Sequence, residues 1–429
     1  MISPLISVIM TAYNSEKFIR ESIDSVLSQT YTNLQFIIIN DGSTDSTAEI
    51  IFSFSDPRIE YYSLAENCHI AYATNLGFSK ARGQYVAIMD SDDVWLPQKL
   101  EKQLTFLQQH PEHQGCFSWV TLINESGEII DDELSDLHEL FSAHTETRED
   151  WLRFFFFYGN RLNNPSSLVT YESMRQTGYH SLFYIQAMDF EWWVRFTKKF
   201  SFGILEEPLI KYRRLSDPEG NVSSYSETHD TRFFNEYMYI RYHFFDGMDD
   251  DLFIRTFQDF FRCSDSSTPE ELLCEKAFLQ CYPVHSSSVP SALGLLNLEE
   301  LLSSKNTAKL LKERYHFSTV ECGTYTGKHI LNDLHLQTYA DKITGLQHWL
   351  DLSQQHIHKL EFDIENLIAQ KAQKEHEISQ INLQITELLN QIHNLSHDLN
   401  EITQSTSWKI TAPFRSLKDK IQHIKSNKD

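Results

Sequence analysis

Three carboxylates stand together in Asp90-Ser91-Asp92-Asp93, directly after the apolar run Tyr85-Val86-Ala87-Ile88-Met89. Like charges this close repel one another unless a cation or a set of donors compensates. An Asp-x-Asp pair suits Mg²⁺ or Mn²⁺, which take oxygen ligands and leave positions open for phosphate oxygens. The same residues also read as a solvated acidic turn in which Asp93 caps a following helix. Two more clusters shift the balance toward chemistry. Thr11-Ala12-Tyr13-Asn14 follows the apolar residues 5–10, and Asn40-Asp41-Gly42-Ser43-Thr44-Asp45 follows Phe36-Ile37-Ile38-Ile39. The Tyr13 ring can stack on a base, and Asp41 can accept from a base N–H.

Elements must bring these clusters together. The apolar runs at 5–10, 36–39 and 85–89 are short and rich in β-branched residues, as buried strands are. Between them, Ser15 is placed to cap a helix with Phe18, Ile19, Ile23, Val26 and Leu27 on one face. A second helix is expected through Glu49 and Ile50, a short strand at 59–62, and a helix at 71–81 that Gly83 ends. Pro97 starts another, running to Gln109. This alternation predicts an α/β fold, a mostly parallel sheet with helices on both faces. In such a sheet ligands bind beyond the carboxyl ends of the strands, where all three polar clusters would lie.

The formal net charge of -23 over 429 residues argues against nucleic acid as a partner. An anionic ligand would need a local cation, a metal or a helix N-terminus. The six cysteines form no C-x-x-C pair and fit a reducing compartment. No basic-then-apolar leader and no run of membrane-spanning length is evident, so a cytoplasmic location is expected, peripheral at the inner face of the membrane if the tail binds lipid.

The segments Val8-Ile9-Met10-Thr11-Ala12-Tyr13-Asn14, Ile39-Asn40-Asp41-Gly42-Ser43-Thr44-Asp45 and Gly83 through Asp93, in that order, resemble family 2 glycosyltransferases. The resemblance implies the glycosyltransferase-A fold, a nucleoside-diphosphate sugar donor (most often a UDP-sugar) and Mn²⁺ or Mg²⁺. Carried over, Thr11, Ala12, Tyr13 and Asp41 would bind the nucleotide, Asp90 would face the ribose and Asp92 the metal. Asn67 and Asn75 match a family segment that usually also holds a Gly and an Arg, where His69 and Thr74 stand here. Lys80 and Arg82 are then the nearby candidates for the diphosphate.

Further on, Ala187-Met188-Asp189-Phe190-Glu191-Trp192-Trp193 resembles the acidic acceptor-site motif of the family, with Met188 in place of the usual Glu. Asp189 would be the base, needed because an acceptor hydroxyl is a poor nucleophile. One carboxylate suffices for direct inverting displacement, whereas retention by double displacement would need a second. Tyr212-Arg213-Arg214 and Asn221-Val222-Ser223 resemble the segment that closes the domain, which adds Arg213 to the diphosphate candidates. The aromatic run at 151–158 reads as core packing in preference to an acceptor-lipid surface.

Four regions are expected: a catalytic domain at 1–225, a helical domain at 226–345, a coiled coil at 346–404 and a basic amphipathic tail at 405–429. Ile357, Ile364, Ile378, Ile385, Ile392 and Leu399 recur every seven residues. Leu360, Leu367, Ile381, Leu388, Leu395 and Ile402 follow three positions later, with Lys371 and Lys374 interrupting the seam. Isoleucine at the first position and leucine at the second favour a parallel dimer. The tail, with Trp408, Ile410, Phe414 and Leu417 among its lysines, suits a membrane surface or a partner. The expected activity is inverting transfer from a nucleotide sugar to a glycan or lipid-linked acceptor in bacterial surface polysaccharide or lipopolysaccharide synthesis. Two alternatives are a sugar nucleotidyltransferase, which usually carries a Gly-rich basic loop absent after residue 10, and a non-catalytic scaffold. The joint presence of Asp41, Asp92 and Asp189 argues against the scaffold.

Overall fold

The computed structural model describes residues 3–215, 227–282, 292–326 and 333–426. The expected Asn221-Val222-Ser223 segment and residues 217–220 lie outside them. The strands are β1 (Ile6–Ala12), β2 (Leu34–Asn40), β3 (Ile59–Ser63), β4 (Tyr85–Asp90), β5 (Val94–Trp95), β6 (His113–Ile123), β7 (Leu168–Thr170) and β8 (Ser201–Arg213). They form one sheet in the order β3-β2-β1-β4-β7-β6-β8-β5. The helices used below are α1 (Ile19–Leu27), α2 (Ile70–Lys80), α3 (Lys99–Gln109), α4 (Arg148–Tyr158), α5 (Met188–Thr197), α6 (Glu227–Tyr242), α7 (Asp250–Phe257), α8 (Asp333–Gln404) and α9 (Thr406–Ser426).

The first half matches the expected parallel sheet, since β3, β2, β1 and β4 pair in parallel. The second half is mixed. β7 runs antiparallel to both β4 and β6, and β5 antiparallel to β8. The long strand β8 is masked in the sequence because exposed Glu206, Glu207 and Pro208 interrupt any alternation, and its pairing with β6 is irregular there.

Strand side chains alternate between two cores. Ile9, Ile37 and Ile39 face one, while Ile6, Val8, Met10, Phe36 and Ile38 face the other. All seven residues of β2 are buried, as a strand covered on both faces must be. Ser15 does not cap α1. Its hydroxyl instead meets Ser91 Oγ at 2.7 Å, tying the end of β1 to the acidic turn. Asp249, by contrast, caps α7 by accepting from the Leu252 N–H at 2.8 Å.

The expected boundary at 225 is not a division of the fold. Residues 1–331 form one compact unit and 332–429 another. The reason is the aromatic core: Trp151, Phe155 and Phe156 of α4 are buried in the same cluster as Tyr237, Phe244, Phe253 and Phe257 from beyond the boundary. In the second unit, α8 runs for 72 residues, and the seam residues from Ile378 to Ile402 are all about half exposed or more.

Candidate active site

Register brings the motifs together. Thr11 pairs with Asp90 across β1 and β4, and Ala12 with Asn40 across β1 and β2. The Asp41 N–H donates to the Ala12 carbonyl at 2.8 Å. Asp41 is buried, and its Oδ1 accepts from the Cys68 N–H at 2.8 Å. Gly42 is required beside it: its φ is +70°, and a Cβ would stand 2.4 Å from the Glu66 carbonyl carbon. Asn14 Oδ1 accepts from the Thr44 N–H at 2.9 Å and links the loops after β1 and β2. The Tyr13 ring is left half exposed at this edge, open to a flat ligand.

The acidic turn is held from below by Arg213, at the end of β8. Its Nε donates to the Asp92 carbonyl at 2.8 Å, its backbone N–H to Asp93 Oδ1 at 2.8 Å, and its Nη2 to Glu21 Oε2 at 2.6 Å. Nη1 reaches the carbonyls of Asn124 and Glu125, and the guanidinium lies over the Phe18 ring. The side chain is 1 % exposed. Arg213 is therefore a buried brace and not a diphosphate ligand. Burial raises the Asp92 carboxyl, and a backbone hydrogen bond and the charges of Arg213 and its neighbour Arg214 act against that rise.

Lys80 and Arg82 also leave the site. Arg82 pairs with Glu60, and the Lys80 ammonium lies 5.2 Å from the centre of the Tyr62 ring. The Arg82 N–H bonds Ser7 Oγ and Gln35 Oε1 at the start of β1 and β2. Five strand steps separate Tyr85 from Asp90, about 16 Å at 3.3 Å per residue, so Arg82 stands at the opposite edge of the sheet, while the Lys80 ammonium lies over Tyr62 of β3, three strands from β4.

Asp189 sits in the first turn of α5, partly buried. Its Oδ1 accepts from the Phe190 N–H at 2.7 Å and its Oδ2 from Asn160 Nδ2 at 3.4 Å. Burial pushes its carboxyl up to about 6, with hydrogen bonds opposing and the Glu236 charge adding to the rise. Asp90 is pushed up to about 8 by burial first, then by the charges of Asp92 and Asp189. Asp189 thus faces the acidic turn although 99 residues separate it from Asp90 in sequence. Asp93 is raised well above the usual range by burial, and its Oδ2 has no hydrogen-bond partner.

Asn75, in the variant family segment, clasps the base side of the site. Its Nδ2 donates to the His180 carbonyl at 2.9 Å and its Oδ1 accepts from the His180 N–H at 2.8 Å. The buried His180 ring, lowered to about 4 by desolvation, bonds the Met188 carbonyl at 3.2 Å. His69 keeps φ 68° and ψ 156°, a backbone region that is essentially glycine's.

Glycosyl transferase family 2 is the family model that matches, over residues 7–176. An uncharacterised glycosyltransferase of Methanocaldococcus jannaschii is 33% identical over 218 residues, covering 50% of this chain and 72% of that one. The chain belongs to glycosyltransferase family 2. A second uncharacterised glycosyltransferase, from Haemophilus influenzae, is 32% identical over 52% of this chain and 70% of its own. TuaG of Bacillus subtilis, named as a teichuronic acid biosynthesis glycosyltransferase, is 38% identical over 30% of this chain and 51% of its own. The eight-stranded sheet with helices on both faces is the glycosyltransferase-A fold of this family, and the enzyme is a glycosyltransferase. Asp189 lies 13 residues beyond the span the family model matches.

A divalent cation fits the acidic turn. Asp90 and Asp92 are partly buried carboxylates whose ionisation the fold disfavours, and a cation between them would relieve that cost. Among the described residues no three His, Cys, Asp or Glu side chains are grouped as a complete shell. Such a site leaves positions for diphosphate oxygens, as Mg²⁺ and Mn²⁺ sites in phosphoryl chemistry do. Two residues the sequence did not flag are Asn160 and Glu236. Glu236 had one signal: it is a lone carboxylate beside the aromatic face of Phe233, Tyr237 and Ile240.

Proposed function

We propose that the enzyme transfers a sugar from a nucleoside-diphosphate donor, UDP-linked in the first instance, to a hydroxyl of a glycan or lipid-linked acceptor, with inversion. The supporting observation is that the Asp189 carboxylate stands close enough to Asp90, at the end of β4, for its charge to act there although 99 residues separate the two. Thr11, Ala12, Tyr13 and Asp41 line the nucleotide end of that edge. Asp189 takes the proton of the acceptor hydroxyl, the acceptor oxygen bonds to C1, and the C1–oxygen bond to the diphosphate breaks with its electron pair leaving on UDP. With one carboxylate on the acceptor side this is a single displacement, which inverts C1. Asp92, with Asp90, would hold Mn²⁺ or Mg²⁺, which supplies charge stabilisation for the leaving diphosphate.

The named role of TuaG supports a place in bacterial surface polysaccharide or lipopolysaccharide assembly, on the cytoplasmic side. α8 is a parallel two-stranded coil formed with a second copy. The exposed Ile410, Phe414 and Leu417 of α9, among four lysines and an arginine, rest on an anionic membrane surface. The side chain of Trp408 lies outside the described residues. No described helix is long and apolar enough to cross a membrane.

Hydrolysis and transfer assays over a panel of UDP-, GDP- and CDP-sugars with Mn²⁺ test the central claim. Nucleoside-diphosphate release with transfer of the sugar and an inverted anomeric product is expected. A retained anomer would remove the single-displacement mechanism, and no turnover alongside tight UDP binding would favour a scaffold.

A further inference from the structure

The carboxylate of Glu236 accepts three consecutive backbone N–H groups, those of Ile185, Gln186 and Ala187, at 2.9, 2.9 and 2.7 Å. Ala187 is the N-cap of α5 and has no side chain able to cap it. The three donors lead directly into the turn that carries Asp189. Glu236 is 5 % exposed and belongs to α6, well outside the span that carries the family motifs.

The helix that presents it is itself fixed. Tyr237 Oη and Arg241 Nη1 both donate to the Phe156 carbonyl at 3.3 Å, and the Arg241 guanidinium lies 4.4 Å from the centre of the Phe156 ring. Tyr239 packs edge-on against Phe183 at 4.9 Å, at the other end of the same loop. α4 therefore anchors α6, and α6 sets the loop before α5. A negative charge at a helix N-terminus is favourable, so the bonds and the helix dipole act together.

We propose that Glu236 is a positioning residue for Asp189, fixing the three N–H groups ahead of α5 so that the base stands at the acceptor hydroxyl. This rests on Asp189 being the base. A carboxylate of matched length is needed because two oxygens serve three donors. Glutamine keeps one acceptor oxygen but turns an amide N–H₂ against an N–H, and aspartate keeps the charge on a shorter arm. The ionisable groups whose charges reach Asp189 are Asp90 from the end of β4 and Glu236 from α6. On α5 itself Glu191 is bridged to Arg195 at 2.6 Å, and the Asn160 amide is neutral.

The test uses the full chain and three variants, Glu236→Gln, Glu236→Asp and Asp189→Asn. Hydrogen exchange comes first because it needs no substrate. In Glu236→Gln the amides of 185–187 should exchange at least about tenfold faster while those of β1 and β4 keep their protection. Unchanged protection at 185–187 overturns the proposal. With UDP-sugar turnover in Mn²⁺, Glu236→Gln should lower kcat by about tenfold to a hundredfold, as small misplacements of a reacting group do. Its UDP affinity by calorimetry should stay within twofold, and Glu236→Asp should fall between it and the parent. The acid limb of its pH–rate profile should move to lower pH, since a negative charge beside Asp189 is gone. Parental kcat with an unmoved acid limb overturns the proposal, as does a loss of turnover matched by an equal loss of UDP binding. If Asp189→Asn turns over like the parent, Asp189 is not the base and the positioning role falls with it. If Asp189→Asn is inactive and Glu236→Gln is not impaired, the base stands and only the positioning role is wrong.

Discussion

Arg213 and Asp92 are joined by a 2.8 Å hydrogen bond from the guanidinium Nε to the backbone carbonyl across 121 residues of sequence. A basic side chain that a loosely matched motif assigns to the diphosphate instead fixes the backbone of the acidic turn. Lysine at this position keeps the charge but cannot serve acceptors on Asp92, Asn124, Glu125 and Glu21 together. Arg213→Lys should cost about 2 kcal/mol through buried groups left unpaired, read as a lower urea midpoint with unchanged slope. UDP affinity in Mn²⁺ should weaken with it. A stable variant with weakened UDP binding would return Arg213 to the diphosphate.

The two ends of β4 make opposite predictions. Asp92→Ala should abolish the Mn²⁺-dependent part of UDP binding. Lys80→Ala and Arg82→Ala should bind UDP within about twofold of the parent, Arg82 being about 16 Å of strand away and the Lys80 ammonium lying over Tyr62 of β3, three strands from β4. Calorimetry of the three variants decides. Weakened binding in Arg82→Ala would place the diphosphate on the wrong edge.

Asp189 has a carboxyl pushed up to about 6, and a base works only when deprotonated. Log kcat/KM should therefore rise with unit slope below about pH 6 and flatten above it. Asp189→Asn should cut turnover by about a hundredfold or more, abolish that limb and leave UDP affinity intact. A parental acid limb in the variant would assign the titration to another group. For stability the sign is the reverse of the usual carboxylate case. Asp90 and Asp189 are raised above their unfolded values, so the metal-free fold is most stable below about pH 4 with respect to these groups and loses that contribution as pH rises to about 8.

His69 adopts φ 68°, in the left-handed region that favours glycine. Such a conformation costs a non-glycine residue about 1–3 kcal/mol, part of which glycine returns as unfolded-state entropy. His69→Gly should raise stability by about 1 kcal/mol in urea unfolding. A loss of stability would mean that His69 contacts outweigh the backbone strain.

Legibility in the sequence followed locality. The apolar runs of β1, β2 and β4 and the polar residues after each are contiguous, so both the strands and the clusters at their ends could be read. Lys80 and Arg82 were misplaced because closeness in sequence to Asp90 hides a whole strand length between them. Arg213 and Glu236 act through partners 121 and about 50 residues away, and no local pattern marks a brace or a clasp. The boundary at 225 failed for the same reason: a change in composition begins there, but the aromatic core continues across it.

The 72-residue α8 leaves a long apolar seam uncovered. Ile385 is 47 % exposed, Leu388 56 % and Ile392 61 %. An isolated seam of this length leaves much apolar area in water, at about 25 cal/mol per Å², and a second copy is the partner that a 3-4 repeat in register supplies. Light scattering should give twice the 50.2 kDa of one chain. Ile385→Lys with Leu388→Lys, in the middle of the seam, should return the mass to one chain while UDP affinity in Mn²⁺ stays the same, because the nucleotide-binding edge is built wholly within residues 1–331. A parent that scatters as a single chain removes the dimer. A double variant that remains dimeric moves the interface off this seam.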